Sequence, residues 1–479
     1  MESPHELIEL MAFNTLSLSD VYDRFSDLPE PIVLHVFSFL DYNDIFRLSS
    51  VSRKFRKICL CCPNLLFKLA FDNKKCTANC KKFQRFLKDF LDLHNAQEIH
   101  RLGLHWFCHS KAYDCKGSIF LEWLQKALRN KVQELDIAVP VTTDHKPFKF
   151  PGGRDQFKSL RVLKLKLQGG KSNLLALELP SLEALSLTCV SVPCKFGEWV
   201  SNSCKSLEVL NLEEFSDIYG LNITSSSLKV LTLVSCGGLA PPTSRWLESQ
   251  VPEDGNFIIN CSSLEKLSIT KCSFGSFTLY VMNSPSLKAL QISDCAIHAN
   301  FDINISSAQQ LQTFTLTMKL TFWIKKGIIP SINLHNSFSA RRITLMDGVR
   351  YAKSLQLNFQ IIEALSQHDQ LPEFERLEHL EVTVAELNLD NIAAIASFLV
   401  ELCRLNTLTL RFKENATQLS EAEIADKICS ELLEEHGVES KHLKIITICT
   451  TIEKQRVTSF RPYMKDSTAR IRAGFSVSY

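Results

Sequence analysis

Residues 181–212 read SLEALSLTCVSVPCKFGEWVSNSCKSLEVLNL and contain one short motif twice. The motif is apolar-x-x-apolar-x-apolar, and its copies here are Leu182-Leu185-Leu187 and Leu207-Leu210-Leu212. Alternate residues of a strand point to the same face, so the last two leucines of each copy would face one core. The stretch therefore predicts two short strands that each bury one face, separated by a connection that contains Trp199.

The same motif recurs along most of the chain. Further copies are Leu160-Leu163-Leu165, Leu228-Leu231-Leu233, Leu264-Leu267-Ile269, Leu287-Leu290-Ile292 and Leu311-Phe314-Leu316, with weaker ones at Ile99-Leu102-Leu104, Val132-Leu135-Ile137, Leu377-Leu380-Val382, Leu405-Leu408-Leu410 and Leu443-Ile446-Ile448. Central copies lie about 21 to 28 residues apart, which is the period of leucine-rich repeats. Cysteines follow three strands at the Asn/Cys position of such repeats, where a small side chain packs inside the turn; they are Cys236, Cys272 and Cys295. The period favours a solenoid over an alternating-strand protein without repeats.

The series of repeats is interrupted and changes towards its end. Residues 237–260 include Gly-Gly, Pro-Pro and VPEDGN, which predicts an insertion between two repeats. Trp246 is the large apolar side chain in the polar, Pro/Gly-rich part of this insertion. An exposed aromatic residue on a loop is a common binding anchor, so Trp246 is a candidate substrate-binding residue, although a tryptophan that only pins the loop is an equal alternative. Apolar periodicity predicts helices over 391–402 and 421–435.

The N-terminal segment has a different character. Residues 27–58 read DLPEPIVLHVFSFLDYNDIFRLSSVSRKFRKI and carry three short amphipathic helical patterns. Pro29 suits a first helical position, Asp41 can cap a second helix, and Ser49 or Ser50 can cap a third. The first stripe comprises Ile32, Val33, Val36, Phe37 and Leu40, the second continues through Ile45 and Leu48, and the third has Val51, Phe55, Ile58 and Cys62. A segment this small cannot bury a core alone, so its apolar faces need a partner.

The Leu28-Pro29 start, the Phe39-Leu40-Asp41 turn and the Val51-Ser52 step before Phe55 resemble an F-box. Phe55 stands where that family often has tryptophan, and Pro31 is a further departure. With the repeats, the chain resembles the plant F-box/leucine-rich-repeat family over about residues 24 to 320. The resemblance implies an α/β fold, with a three-helix F-box followed by a leucine-rich-repeat solenoid, or horseshoe. It also implies docking on a Skp1-type adaptor, and through it on a cullin, by Leu28, Pro29, Ile32, Val33, Val36, Leu40, Ile45 and Val51.

On this basis we expect five parts along the chain. They are a flexible N-terminus (1–23), an F-box (24–65), a linker and solenoid N-cap (66–130), leucine-rich repeats (131–450) and a C-terminal tail (451–479). The tail contains five basic residues from Arg456 to Arg472, and a mobile terminus is its simplest interpretation.

Composition and motifs exclude several function classes. The net charge of +2 gives no polybasic field for nucleic acid, and no apolar run reaches the roughly 18 residues of a membrane-spanning helix. No phosphate-binding loop, dinucleotide fingerprint or hydrolase motif occurs, so we predict no catalytic residues and no cofactor. Cys76 and Cys80 lack a paired Cys-x-x-Cys arrangement, so we predict no metal site. Seventeen cysteines without a secretory signal favour reduced thiols in the cytoplasm or nucleus.

The predicted function is therefore that of a non-catalytic, substrate-recognition subunit of a ubiquitin ligase that contains Skp1, a cullin and an F-box protein. The helical segment would bind the adaptor, and the repeats would bind an unknown target protein. Alternatives are a ligand-gated F-box receptor, a protein-interaction scaffold that does not direct degradation, and an enzyme with an unrecognised site.

Overall fold

A computed structural model describes most of the repeat region and parts of the N-terminal segment. The described residues are 27–37, 39–40, 44, 47–48, 51–70, 85, 88, 90, 99–107, 118–139, 148–151, 154–191, 195–215, 220–237, 256–274, 277–297, 301–320, 343–345, 347–366, 374–384, 389–400, 402, 404–413, 430, 445–451 and 457–460. The chain divides into two compact units, Met1–Ser216 and Asp217–Tyr479.

The first unit joins a pair of short helices to a parallel sheet. Its elements are α1 (Glu30–Phe37), α2 (Arg53–Leu60), β1 (Asn64–Ala70), β2 (Arg101–Phe107), α3 (Ser118–Arg129), β3 (Glu134–Val139), a 3-10 turn (Arg154–Phe157), β4 (Val162–Lys171), a second 3-10 turn (Leu174–Ala176), β5 (Ala184–Ser191), α4 (Phe196–Ser203) and β6 (Val209–Glu213). The six strands pair in chain order, and every pair is parallel. Parallel neighbours need a crossover connection, which α3 and α4 provide for their flanking strands.

The second unit has a longer sheet of the same kind. Its strands are β8 (Val230–Val234), β10 (Lys266–Thr270), β13 (Ala289–Ile297), β15 (Thr313–Leu320), β17 (Ser354–Asn358), β18 (His379–Val384), β19 (Thr407–Lys413), β20 (Ile445–Thr451) and β21 (Val457–Phe460). They pair in that order, all parallel except the antiparallel pair of β20 with β21. The short strand β11 (Ser273–Phe274) adds to β13. Connections include a 3-10 turn (Asp347–Tyr351) and the helices α5 (Phe359–Ser366) and α6 (Leu389–Val400).

A second sheet in this unit was not predicted from the sequence. It contains β7 (Leu221–Ser225), β9 (Asn256–Cys261), β12 (Phe277–Met282), β14 (Phe301–Asn304) and β16 (Ile343–Leu345), all parallel. Alternate side chains such as Phe257, Ile259 and Leu279 are buried, so these strands also bury one face. The predicted insertion at 237–260 therefore ends in a strand, β9.

The leucines of the repeated motif fill the core. Leu185, Leu210 and Leu231 each expose 0% of their surface, which confirms the predicted register. Within the first unit, Leu163, Leu185 and Leu210 occupy matching positions of three adjacent strands. This alignment stacks identical side chains from one repeat to the next, as a regular repeat period requires.

The cysteines after the strands behave as the motif predicts. Cys236, Cys272 and Cys295 are buried, and the thiol of Cys272 donates to the carbonyl of Thr270 at 3.3 Å. The thiol of Cys295 donates to the Ile269 carbonyl at 3.5 Å. These side chains satisfy backbone carbonyls inside the turn, which is a structural role.

The remaining expectations about element boundaries have mixed outcomes. The predicted helix at 391–402 is confirmed as α6, whereas the predicted helix at 421–435 falls outside the described residues except for Ser430, which is helical. The first sheet already begins at β1, within the segment expected to end the F-box and begin the linker. Of the second helix predicted in the N-terminal segment, the structure describes only residues 44 and 47–48, which are helical.

Candidate functional site

The start of α1 differs slightly from the sequence prediction. Pro29 precedes the helix instead of occupying its first position, and its carbonyl accepts from the backbone N–H groups of Ile32 at 2.9 Å and Val33 at 3.1 Å. Pro31 lies in the first turn, where a residue without an N–H costs no intrahelical hydrogen bond. The second proline is therefore compatible with the helix.

Apolar side chains cover two neighbouring rows of α1. Val33 and Phe37, four residues apart, are each only 2% exposed. Ile32 and Val36, also four residues apart, expose 48% and 43% of their surface, and Phe39 beyond the helix end exposes 76%. The predicted stripe is thus split: one row packs inward and the adjacent row faces solvent. Val33, expected to contact an adaptor, lies in the inward row.

The inward row packs against α2. Ser52 caps this helix, since its hydroxyl accepts the N–H of Phe55 at 3.1 Å. The rings of Phe37 and Phe55 meet edge to face with centroids 6.1 Å apart, and Ile58 of α2 is also buried. An edge-to-face pair of this kind adds about 0.5–1.5 kcal/mol to the contribution of burial. Phe55, where the resembling family often has tryptophan, therefore has a core position.

The sequence prediction for α2 needs two corrections. The capping residue is Ser52, not Ser49 or Ser50, because the helix starts later than its apolar pattern suggested. Val51 precedes the cap and is 67% exposed, so it does not share the buried stripe of Phe55 and Ile58. Its exposure instead adds it to the outward-facing apolar residues.

The outward-facing apolar residues of this helix pair form the candidate site, which we call the helical surface. It is defined by the exposed side chains of Ile32, Val36, Phe39 and Val51; Pro29 is also exposed, and Leu28 and Leu40 are half-buried. Lys54 donates to the Leu28 carbonyl at 2.6 Å, which ties the chain before α1 to α2. Ile45, also predicted to bind the adaptor, falls outside the described residues.

Sequence reasoning missed Phe39 as a member of the helical surface. The signal was present, because Phe39 lies three residues after Val36 and seven after Ile32, which is the spacing of one helical row. The ring also packs edge to face on His35, with centroids 5.0 Å apart. The helical spacing of Phe39 from Ile32 and Val36 therefore indicated its place in the exposed row, although the sequence motif that contains Phe39 places it only in a turn.

The repeats offer a second kind of surface, the solvent-facing side of each parallel sheet. In the first unit this side carries charged pairs. His105 contacts Asp136 at 2.9 Å from Nε2 to Oδ1, and Arg101 lies 3.6 Å from Glu134. Burial acts to raise the pKa of Asp136, but the hydrogen bond and charge of His105 and the charges of Lys164 and Arg101 outweigh it and lower the pKa.

The corresponding side of the longer sheet in the second unit is different. It carries mainly hydroxyl and carboxamide side chains, among them the partly accessible Gln291, Thr315 and Gln356. Among the described residues of this side, Glu381 and Arg411 form an ion pair at 2.6 Å. The two units therefore present distinct surface chemistry to a partner.

Other predicted features do not contribute to a described site. Trp246 and the pair Cys76 and Cys80 fall outside the described residues. Within the described part of the chain, no cluster of three metal-binding side chains occurs. Burial raises the pKa of Cys204 to about 12 and that of Cys261 to about 11, so these thiols stay protonated at neutral pH and are poor nucleophiles. Among the described residues, no helix has the length and apolar character needed to span a membrane.

Two family models match this chain, in the regions that carry these surfaces. The F-box-like model matches residues 25–71, which include α1, α2 and the whole helical surface. The model for the leucine-rich repeats of the FBD-associated F-box protein At5g56370 matches residues 120–240, which include β3 to β8. Neither model describes a catalytic family.

Similar proteins are found in Arabidopsis thaliana. The F-box/FBD/LRR-repeat protein At4g26340 is 23% identical over 342 residues, covering 71% of this chain and 71% of the relative. A putative F-box/FBD/LRR-repeat protein, At4g03220, is 24% identical and covers 82% of this chain and 75% of its own length. Another, At5g44950, is 24% identical and covers 84% of this chain and 95% of its own length. The resemblance predicted from the sequence is confirmed: over its N-terminal helices and its repeats, this chain is similar to plant F-box/leucine-rich-repeat proteins.

Proposed function

We propose that this chain is the substrate-recognition subunit of a ubiquitin ligase that contains a Skp1-type adaptor and a cullin. F-box segments generally bind Skp1-type adaptors, and residues 25–71 match the F-box-like model. The observation that carries the proposal is the helical surface, where Ile32, Val36 and Phe39 stay exposed beside a buried row of the same helix. An apolar surface left open on a folded helix pair is a characteristic of an interaction site.

The energetics are consistent with docking. Burying one large apolar side chain stabilises a complex by about 1.5–3 kcal/mol, and a few such anchors dominate most interfaces. Phe39, at 76% exposed, has most of its surface still available for burial. Because Phe37 and Phe55 hold the two helices together, the exposed side chains are already positioned and little ordering is needed on binding.

In this proposal the N-terminal helices and the repeats bind different partners. The helical surface binds the adaptor, with Leu28, Pro29, Leu40 and Ile45 as expected further contacts. The repeats hold a target protein, and Trp246 remains a predicted contact to it. Ubiquitin transfer takes place on other subunits, so this chain contributes proximity and no bond chemistry. The proposal includes a three-helix F-box, a horseshoe-shaped solenoid, and a location in the cytoplasm or nucleus.

The direct test is adaptor binding by the purified chain and a variant carrying Leu28→Ala with Pro29→Ala. We expect a complex with a Skp1-type adaptor, and a loss of more than about 2 kcal/mol of binding free energy in the double variant, the scale of a hot spot. A matched control is Glu183→Ala, which changes an exposed side chain of the repeats. The control should bind the adaptor like the wild type.

The outcomes separate the functions considered. Wild-type affinity in the double variant would remove the F-box interpretation. Failure of the unmodified chain to bind any Skp1-type adaptor would favour a scaffold that acts without the ligase. Adaptor binding without any additive, together with a small molecule that raises the melting temperature and is required to hold the target protein, would favour a ligand-gated receptor.

A further inference from the structure

A row of polar side chains crosses the longer sheet of the second unit. Gln291 on β13, Thr315 on β15 and Gln356 on β17 occupy directly paired positions. Their flanking neighbours along the strands, such as Leu290, Leu316 and Leu357, are buried at 0–1% exposure. The polar row therefore lies on the side of the sheet opposite the core, where each of the three side chains is partly accessible.

Hydrogen bonds within the row fix both carboxamides. Gln291 accepts the Ser268 hydroxyl at 3.3 Å through Oε1 and donates to the Ser293 hydroxyl at 3.1 Å through Nε2. Gln356 accepts the Thr315 hydroxyl at 3.4 Å and donates to Glu381 at 2.8 Å. A carboxamide nitrogen has two N–H groups, and each of these bonds uses one. Each nitrogen thus keeps a second N–H to offer, in an orientation set by its neighbours.

The spacing of the two glutamines is defined by the sheet. One strand, β15, separates β13 from β17, and parallel neighbours lie about 4.8 Å apart, so equivalent atoms of the two side chains repeat at about 9.6 Å. A polyproline II helix has three residues per turn and a rise of about 3.1 Å, which gives about 9.3 Å per turn. Its backbone carbonyls make no internal hydrogen bonds and point to the surroundings. One carbonyl per turn could accept from each glutamine in succession.

Other backbone conformations fit this row less well. A β-strand repeats on one face about every 6.6 Å, and an α-helix repeats every 5.4 Å with its carbonyls already bonded. The charge of the row also restricts the partner. The three side chains of the row are uncharged and the neighbouring Glu381 is paired with Arg411 at 2.6 Å, so the row itself presents no charge to a partner.

We propose that this row binds an uncharged, proline-rich segment of a partner protein in the polyproline II conformation, laid across the strands. The side-chain N–H groups of Gln291 and Gln356 donate to backbone carbonyls one turn apart. The small hydroxyl of Thr315 between them leaves room for the turn. The inference deepens the binding role proposed for the repeats, and it does not depend on the adaptor.

The test uses fluorescein-labelled nonapeptides and the full-length chain. The probes contain three Xaa-Pro-Pro triplets in which Xaa is alanine, serine, glutamine or leucine. Controls replace the prolines by glycine, or place lysine or glutamate at Xaa. We expect at least one uncharged proline-rich peptide to bind with a Kd of about 100 μM or tighter by fluorescence anisotropy, and the glycine and charged peptides to bind at least tenfold more weakly.

Two variants remove the donors by different chemistry. Gln291→Glu keeps the size of the side chain and an acceptor for Ser268 but has no N–H, and Gln356→Met keeps the length without any donor. Each should lower peptide affinity at least tenfold with an unchanged melting temperature. The matched control is Asn211→Asp, the equivalent position on β6 of the first unit, which should not change peptide affinity.

Two results would overturn the proposal: no uncharged proline-rich peptide binds, or both glutamine variants bind like the wild type. Adaptor affinity measured on the same samples distinguishes a failure of the peptide proposal from a failure of the ligase proposal. A wild-type chain that binds peptide but no adaptor would refute the ligase role alone.

Discussion

Two valines of α1, three residues apart, allow the orientation of that helix to be tested with one chemical change. Val33 is 2% exposed and Val36 is 43% exposed. Truncation to alanine removes two carbon groups, whose full burial contributes about 1.6 kcal/mol to folding. The higher helix propensity of alanine offsets roughly 0.6 kcal/mol of this loss. With a cavity contribution, Val33→Ala should destabilise the helix pair by about 1–2 kcal/mol. For half-exposed Val36 the two effects nearly cancel, leaving about 0.3 kcal/mol.

Trypsin provides the assay, because α2 contains the cleavage sites Arg53, Lys54, Arg56 and Lys57. When opening precedes cleavage, the rate follows the open population, and every 1.4 kcal/mol changes it tenfold. Val33→Ala should therefore speed cleavage within α2 about 5- to 30-fold, and Val36→Ala less than about twofold. Cleavage after Lys131, which follows α3, serves as an internal control in each sample.

Adaptor affinity should show the opposite order. Burying the exposed part of Val36 contributes about 0.7 kcal/mol, so Val36→Ala should weaken adaptor binding at least about threefold. Val33→Ala should leave affinity unchanged as long as most of the protein keeps the helix pair folded. Equal acceleration of cleavage by both variants would show that α1 is rotated differently, and that the helical surface is wrongly assigned.

Three further predictions concern the repeats. Leu185→Ala should lower the free energy of unfolding by about 2–5 kcal/mol in a urea titration. Glu183→Ala loses only an exposed ion pair and should lower it by no more than about 1 kcal/mol. Equal losses in the two variants would refute the register. The pKa of Asp136 is lowered in the folded state, so its ionised form contributes stability above the unfolded pKa of about 3.9, and this stability is lost as the pH falls through the folded pKa. Asp136→Asn should therefore destabilise the protein at pH 7 and progressively less below pH 4. A difference in unfolding free energy that does not change with pH would exclude the His105 pairing. Cys204, whose pKa burial raises to about 12, should react with iodoacetamide at neutral pH only after unfolding, and rapid native labelling detected by mass spectrometry would contradict its burial.

Much of the repeat fold could be predicted because leucine recurs at the same inward-facing position of successive strands. Leu185 and Leu210 recur at a fixed place in successive strands, and a strand with period-two burial leaves little choice of register. The second sheet of the second unit was missed because its strands, such as β7 and β9, do not contain the leucine motif. Alternate residues of these strands, such as Phe257 and Ile259, are buried, but a search for one leucine motif does not detect them.

The candidate site was predicted only in part, for a reason that lies in helix geometry. Ile32, Val33 and Val36 are all apolar, so their periodicity indicates a helix but not which row another element covers. The packing of Phe37 against Phe55 of α2 shows which row is covered, and Val33 lies in the row of Phe37. The capping residue Ser52 was missed because Ser49 and Ser50 are equally good caps by residue type, and tertiary packing selects among them.

Amide hydrogen exchange of the full chain, with and without a purified Skp1-type adaptor, tests the central claim most directly. The account predicts slower exchange on binding at the amides of α1 and α2, together with residues 39–40 and 51. The amides of β10, β13 and β17, on the sheet assigned to the target, should exchange at unchanged rates. Protection confined to the repeat strands, with α1 and α2 unaffected by a bound adaptor, would contradict it.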